Sequence, residues 1–160
     1  MSKSKARVIA ALKEFGLPVD VRDVGKARTA QEAADSLNVH IDQIAKSMIF
    51  RGETSGSAYL FLTAGGHQVD VKAAQTLAGE PLGRADAAFT RAETGFAIGG
   101  VAPLGHIKPL RTWFDRRLLD FDVVFAAAGT PHHVFPLPPA EILRVSSAQV
   151  ADFSTKPKLM

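Results

Sequence analysis

The chain contains no cysteine, which excludes a disulfide framework, a thiolate zinc site and a cysteine nucleophile together. No apolar stretch approaches the length of a membrane span, and the basic start Met1-Ser2-Lys3-Ser4-Lys5-Ala6-Arg7 leads into no uninterrupted apolar core of the signal-peptide kind. The expectation is a soluble cytoplasmic protein with no membrane partner. Strong charge asymmetry is missing too. A net charge of +3 tolerates a polyanionic partner, but no helix concentrates Arg and Lys beside base-reading residues, so specific DNA binding is not expected. The glycine register of a dinucleotide fold, a phosphate loop ending in Gly-Lys-Ser/Thr and a Gly-x-Ser-x-Gly elbow are all absent. The histidines, His40, His67, His106, His132 and His133, have no spacing that puts two ligands on one helical face, so neither a metal nor another cofactor is expected.

What is present fits one packed domain. At 160 residues and 46% hydrophobic, the chain can bury one core and has no repeat, low-complexity tract or interdomain linker. Val8, Ile9, Leu12 and Phe15 recur at helical spacing until Gly16 and Pro18 stop the pattern, and Val19 to Val24 alternates like a strand. Thr29-Ala30-Gln31-Glu32 is a capping box opening a helix that ends near Asn38, and a further short helix is expected over 42–45. Ser47 to Phe50 and Tyr59 to Thr63 form a hairpin across a polar, glycine-containing loop. Asp70 and Asp86 cap two more helices, closed by Gly79 and Gly95. Strands follow at 112–114, 123–128 and 134–135, then a helix opened by Pro138-Pro139. Interleaved helices with several hairpin-length connections predict an α+β fold, a mixed and mostly antiparallel sheet flanked by helices. The domain is expected over 1–154, with 155–160 a flexible tail.

Three features carry chemistry. The segment from Thr94 to His106 is a glycine-punctuated loop with little side-chain chemistry, so its backbone N–H groups are the working candidates; Pro103 fixes its own φ and restricts Ala102. Lys46 stands at the entrance to the apolar run Ser47-Met48-Ile49-Phe50, where its stem can pack while its ammonium reaches a cleft. His132-His133 lies just past the end of the central strand expected over 123–128, a common place for ligand contacts. Successive strand side chains diverge, so one of the two rings is expected to face a pocket.

Ile44 to Phe50, Gln68 to Lys72, Thr94-Gly95-Phe96 with Gly99 to Gly105, and the Gly129-to-His133 turn, taken together and in this order, resemble the YbaK family, which is related to the editing domain inserted in bacterial prolyl-tRNA synthetases. The resemblance runs from about residue 18 to about residue 152. It implies a single YbaK-like domain that hydrolyses the ester of a mischarged aminoacyl-tRNA, typically proline tRNA carrying alanine, 2-aminobutyrate or cysteine. It also implies that Lys46 is the functional lysine, that Gly99, Gly100, Val101, Ala102 and Pro103 form the family's Gly-x-x-x-Pro loop, and that His133 matches the turn histidine, with His132 and Gly129 beside it. The implied partner is the acceptor end of mischarged tRNA, with prolyl-tRNA synthetase as a candidate second partner. An aminoacyl ester is already activated, so positioning, carbonyl polarisation by N–H groups of the loop and an oriented water suffice without a nucleophilic side chain. A small pocket would exclude the proline ring, with Met48, Phe50 and Ile98 as candidate walls. A non-catalytic tRNA-binding module and a tRNA-independent aminoacyl-ester hydrolase stay open as alternatives. Oligomeric state is not legible.

Overall fold

In the computed structural model, which describes residues 2–157, the Ser2 hydroxyl accepts from the Lys5 N–H and opens α1 (Lys3–Glu14), whose buried stripe is Val8, Ala11 and Leu12. The alternation at 19–24 yields only a two-residue strand, β1 (Arg22–Asp23), because pairing partners exist only at Val134 and His133. Thr29 caps α2 (Ala30–Leu37) as expected, accepting from Glu32 N–H. The returning Glu32 carboxylate reaches the Arg28 N–H, one residue before the cap.

The helix expected over 42–45 is instead a 3-10 turn at Ile41–Gln43 running directly into β2 (Ile44–Gly52). Two local bonds end the helical path. The Asp42 N–H donates to His40 Nδ1 and the Gln43 side chain accepts from the His40 N–H. Ile44 and Ala45 are then claimed by sheet pairing with Phe125 and Ala126. Lys46 therefore sits within a strand rather than ahead of one.

β2 forms the expected hairpin with β3 (Ala58–Ala64), in register from Ala45↔Ala64 to Arg51↔Ala58. The chain continues through β4 (Gln68–Val69), α3 (Val71–Ala78), β5 (Leu82–Arg84), α4 (Ala87–Thr94), β6 (Arg111–Asp115), β7 (Val124–Ala127), β8 (His133–Leu137), α5 (Pro139–Ser146), β9 (Gln149–Ala151) and β10 (Ser154–Thr155). The main sheet has the order β1-β8-β7-β2-β3-β6-β9, with β5 also pairing β2. It is mixed: β2–β7, β3–β6 and β6–β9 are parallel, while β1–β8, β7–β8, β2–β3 and β2–β5 are antiparallel. The α+β expectation holds. β4 and β10 form a separate antiparallel pair that includes Thr155, a residue the sequence assigned to the tail. Residues 158–160 of that tail lie outside the described residues.

Every residue of β3 is buried because both faces of the sheet are covered. Leu60 and Leu62 point into one core with Val8, Phe114 and Phe135. Tyr59 and Phe61 point into the other, where Phe61 stacks on Trp113 at 4.8 Å and meets Phe153 edge-on. A third, smaller core holds α2 against Ile44 and Phe125. Among the described residues no helix is long and apolar enough to cross a membrane.

One surface carboxylate makes the fold sensitive to acid. Glu80 is pushed down to about 2 from an ordinary 4.5, first by the Ser55 hydroxyl, then by the Tyr59 hydroxyl and the Ser55 and Thr54 N–H groups. A depressed carboxylate contributes stability that is complete above its unfolded value and disappears as pH falls through the folded one. Glu80→Gln should therefore flatten the loss of melting temperature between pH 4.5 and about 2, as read from thermal melts across that window.

Candidate functional site

The site is built where the sheet is interrupted. β2 pairs with β7 at Ile44 and Ala45, and with β5 at Phe50 to Gly52. Between those pairings, Lys46 to Ile49 have a strand neighbour on the β3 side only, so the backbone groups directed the other way form an open strand edge. The glycine loop fills this gap. It is fixed there by the Ser47 hydroxyl, which donates to the Val101 carbonyl at 2.6 Å, and by His106 Nε2, 2.6 Å from the Ala102 carbonyl. A carbonyl only accepts, so His106 Nε2 carries a proton; burial pushes the imidazole below its ordinary value despite that bond.

Two cavities flank the loop. The larger, about 750 Å³, is lined by Lys46, Ile98, Gly99, His132 and His133, and by the start of α2 at Thr29 and Ala30. The smaller, about 470 Å³, is lined by Met48, Phe50, Leu82, Thr90 and Val101. They meet at Ser47, Ile98 and Gly99, which line both. The candidate wall residues thus divide: Ile98 borders both cavities, whereas Met48 and Phe50 border only the smaller one, away from the histidines.

Within the loop, the Gly100 N–H closes a turn onto the Ala97 carbonyl at 2.9 Å. Val101 and Ala102 are buried, and among the described residues their N–H groups, like that of Gly99, have no acceptor. A backbone N–H without a partner is available to a ligand oxygen where it borders open space: Gly99 lines both cavities and Val101 the smaller one, whereas Ala102 borders neither. Gly100 packs so closely on the following turn that an added Cβ would lie 2.8 Å from Thr130 Cα. Pro103 is buried and borders neither cavity. Gly129 also borders neither cavity. With φ +92° and a Cβ position 2.5 Å from the Ser4 carbonyl, it admits α1 against the turn.

Both histidines of the turn line the larger cavity, where only one was expected. The alternation argument fails because β8 begins at His133, so His132 still belongs to the turn. His132 is exposed, and its Nδ1 lies 2.8 Å from the Gly25 carbonyl. His133 is half-buried. Its Nδ1 lies 2.6 Å from Thr130 Oγ1, and its Nε2 3.8 Å from Asp23.

Lys46 is half-buried, and its Nζ donates to the His67 carbonyl at 2.8 Å. Burial pushes its pKa below the ordinary lysine value, while the Asp42 and Asp115 carboxylates pull part of the way back. Those acids belong to a buried polar network that sequence reasoning missed. The Ser154 hydroxyl donates to Asp115 at 2.7 Å, so the His67 Nδ1, 2.9 Å from Ser154 Oγ, must donate to that hydroxyl. Asp115 also accepts from the Ala64 N–H, and Asp42 from the Gly66 N–H and the Arg117 guanidinium. Burial opposes the Asp42 charge, but Arg117 and Gly66 outweigh it and hold this carboxyl below its ordinary value. The loop carrying the lysine's acceptor is therefore tied at both ends. No local pattern announces it, since its members come from four distant segments, 42–46, 64–67, 115–117 and 154. Among the described residues no group of three or more His, Asp or Glu could hold a metal ion.

The model of the aminoacyl-tRNA editing domain matches residues 24–145. The chain is 31% identical over 122 residues to the uncharacterised YwhH of Bacillus subtilis, covering 76% of this chain and 77% of the relative. It is 26% identical to EbsC of Enterococcus faecalis, whose name proposes a Cys-tRNA(Pro)/Cys-tRNA(Cys) deacylase, over 80% of this chain and 78% of that one. A crystal structure described as a proposed trans-editing enzyme for prolyl tRNA synthetase superposes with a TM-score of 0.89 at 43% identity, covering 97% of this chain and 99% of the other.

Proposed function

Because the chain belongs to the aminoacyl-tRNA editing domain family, we propose that it is a cytoplasmic trans-editing hydrolase that removes a small non-cognate amino acid, alanine, 2-aminobutyrate or cysteine, from proline tRNA. The observation that carries this reading is the convergence of Lys46, Gly99 and the His132-His133 turn on one cleft beside buried, unpaired loop N–H groups. The described relatives agree in direction: one is named for cysteinyl-tRNA deacylation and another for prolyl-tRNA synthetase editing. The synthetase is the natural second partner.

In this mechanism the scissile ester lies against Gly99. The N–H groups of Gly99 and Val101 stabilise the carbonyl oxygen as it gains charge, and Lys46 adds a fixed positive charge near the terminal nucleotide. Water attacks the carbonyl carbon, the ester C–O bond breaks, and the ribose oxygen leaves with a proton, which yields free amino acid and uncharged tRNA. The substrate's own neighbouring hydroxyl helps orient the water, so no protein nucleophile is needed. The test is a deacylation panel on proline tRNA charged separately with alanine, cysteine, serine, 2-aminobutyrate and proline; turnover of none would overturn the reading.

The turn sets selectivity in this account. His133 is the more enclosed ring and is fixed by Thr130, whereas His132 is exposed and tied outward to Gly25. His133→Ala should shift the ratio of alanyl to 2-aminobutyryl turnover by about tenfold, the effect of one methylene in a fitted pocket, and His132→Ala should move it less. A uniform rate loss in both variants would assign the turn to nucleotide positioning instead.

A further inference from the structure

We propose that Asp115 and Ser154 are positioning residues of the reaction: together they hold the loop whose carbonyl seats the Lys46 ammonium at the larger cavity. This inference rests on the aminoacyl-tRNA reading above and names what keeps its lysine in place. Lys46 lines that cavity, whereas Asp115, Ser154 and His67 border neither cavity, so none of these three is placed to touch substrate. A lysine ends in a point charge on a flexible four-carbon stem, and β2 fixes only the start of it, opposite Thr63. Since the ammonium's one bond is to the His67 carbonyl at 2.8 Å, its location is set by that carbonyl. The carbonyl belongs to a loop that passes through Gly65 and Gly66, a backbone with little stiffness of its own. Its position must be imposed from outside.

Asp115 does this from the last position of β6. Its Oδ2 accepts from the Ala64 N–H at 2.9 Å, where the loop begins, and from the Ser154 hydroxyl at 2.7 Å, which in turn accepts from the His67 ring at 2.9 Å, where the loop ends. One carboxylate oxygen thus closes both ends of the loop, whereas Asp42 holds a single point, the Gly66 N–H. Ser154 is brought there by β10, which pairs with β4; beside it the Phe153 carbonyl accepts from the Asp70 N–H at 2.7 Å and the Phe153 ring is buried against Phe61. Asp115 is 4% exposed, and among the described residues its hydrogen-bond donors, the Ala64 and Arg117 N–H groups and the Ser154 hydroxyl, are all uncharged. Burying a carboxylate without a bonded cation is costly, and an apolar residue of similar size would cost less. What only the acid supplies is a negative charge facing the lysine: Asp42 and Asp115 offset part of the burial that disfavours the ammonium. The other charged or titratable groups about Lys46 are the His67 ring, Arg117, which pairs with Asp42 and Asp120, and Arg28, His132 and His133, which line the same cavity.

The test separates position from charge by comparing wild type, Ser154→Ala, Ser154→Thr and Asp115→Asn in two measurements. One is the pH profile of steady-state deacylation with the best substrate from the panel. The other is the titration of Lys46 itself, read without substrate from the side-chain resonance of protein labelled with carbon-13 lysine and assigned by its absence from Lys46→Arg. Ser154→Ala frees the His67 end of the loop and leaves the carboxylate in place, so kcat should fall about tenfold or more, as misplacement of a catalytic group does, with KM nearly unchanged and the alkaline limb where it was. Ser154→Thr keeps the hydroxyl and should restore kcat. Asp115→Asn removes the charge, so Lys46 should titrate at lower pH than in wild type and the alkaline limb should move with it. A purely structural role would move neither. Lys46 titrating unchanged in a folded Asp115→Asn protein, wild-type kcat in folded Ser154→Ala, or a loss that Ser154→Thr does not restore overturns this assignment alone; should Asp115→Asn fail to fold, the serine pair decides. No wild-type turnover on any charged tRNA overturns the parent reading and this one with it.

Discussion

Lys46→Ala should lower the deacylation rate about a hundredfold or more, the scale on which removing one preorganised electrostatic group acts at a transition state, while the protein stays folded. The side chain is half-buried on a polar network rather than packed in a core, and its one bond is to the His67 carbonyl. Lys46→Arg should fail as well, because a planar fork cannot take the place of a compact ammonium held at a single carbonyl. The pH profile gives an independent check. Burial lowers the folded pKa from 10.5, so activity that needs the charge should decline on the alkaline side before an ordinary lysine would titrate. The stability effect has a definite sign. Between the folded and unfolded pKa values the unfolded chain binds more protons, so stability rises with pH there. Lys46→Met removes that dependence and should be at least as stable as wild type near neutral pH. Unchanged turnover in a folded Lys46→Ala protein would remove the lysine from the mechanism.

Gly100→Ala is the second large effect. Its Cβ would lie 2.8 Å from Thr130 Cα and 2.9 Å from Thr130 C, and backbone atoms cannot move aside as a flexible side chain does. Either the glycine loop or the histidine turn must shift. Overpacking of this kind costs about 1 to 3 kcal/mol, visible as a lower melting temperature. The catalytic consequence should exceed the thermodynamic one. A displaced loop misaligns the Gly99 and Val101 N–H groups, so kcat should fall by about tenfold or more while KM changes little. A loss confined to KM would make the loop a docking surface.

The elements that sequence patterns resolved are those whose signals are local. Thr29, Asp70 and Asp86 cap helices because a side-chain oxygen meets an N–H two or three residues on, and the hairpin of β2 and β3 follows from two apolar runs and a polar loop. The short strands β5, β9 and β10 were not legible, since two or three residues carry no period and exist only through partners distant in the chain. The same distinction governs the site. Lys46, the glycine loop and the His132-His133 turn stood out as unusual residues and do converge. The division of the surrounding space did not, because it depends on β2 losing its neighbour between β7 and β5. Asp115, Ser154 and Thr90 gave no signal at all: a buried acid or hydroxyl is indistinguishable in sequence from a solvated one.

The most direct measurement of the central claim is the ratio of deacylation rates for mischarged and correctly charged proline tRNA under single-turnover conditions, with the spontaneous rate subtracted and Lys46→Ala measured alongside. The account predicts that the best of the alanyl, 2-aminobutyryl and cysteinyl substrates is hydrolysed at least about tenfold faster than the prolyl one, as steric exclusion from a fitted pocket allows, and that Lys46→Ala abolishes the difference by removing the fast reaction. Equal hydrolysis of prolyl-tRNA and its mischarged counterparts, or a preference that survives in Lys46→Ala at full rate, would contradict it.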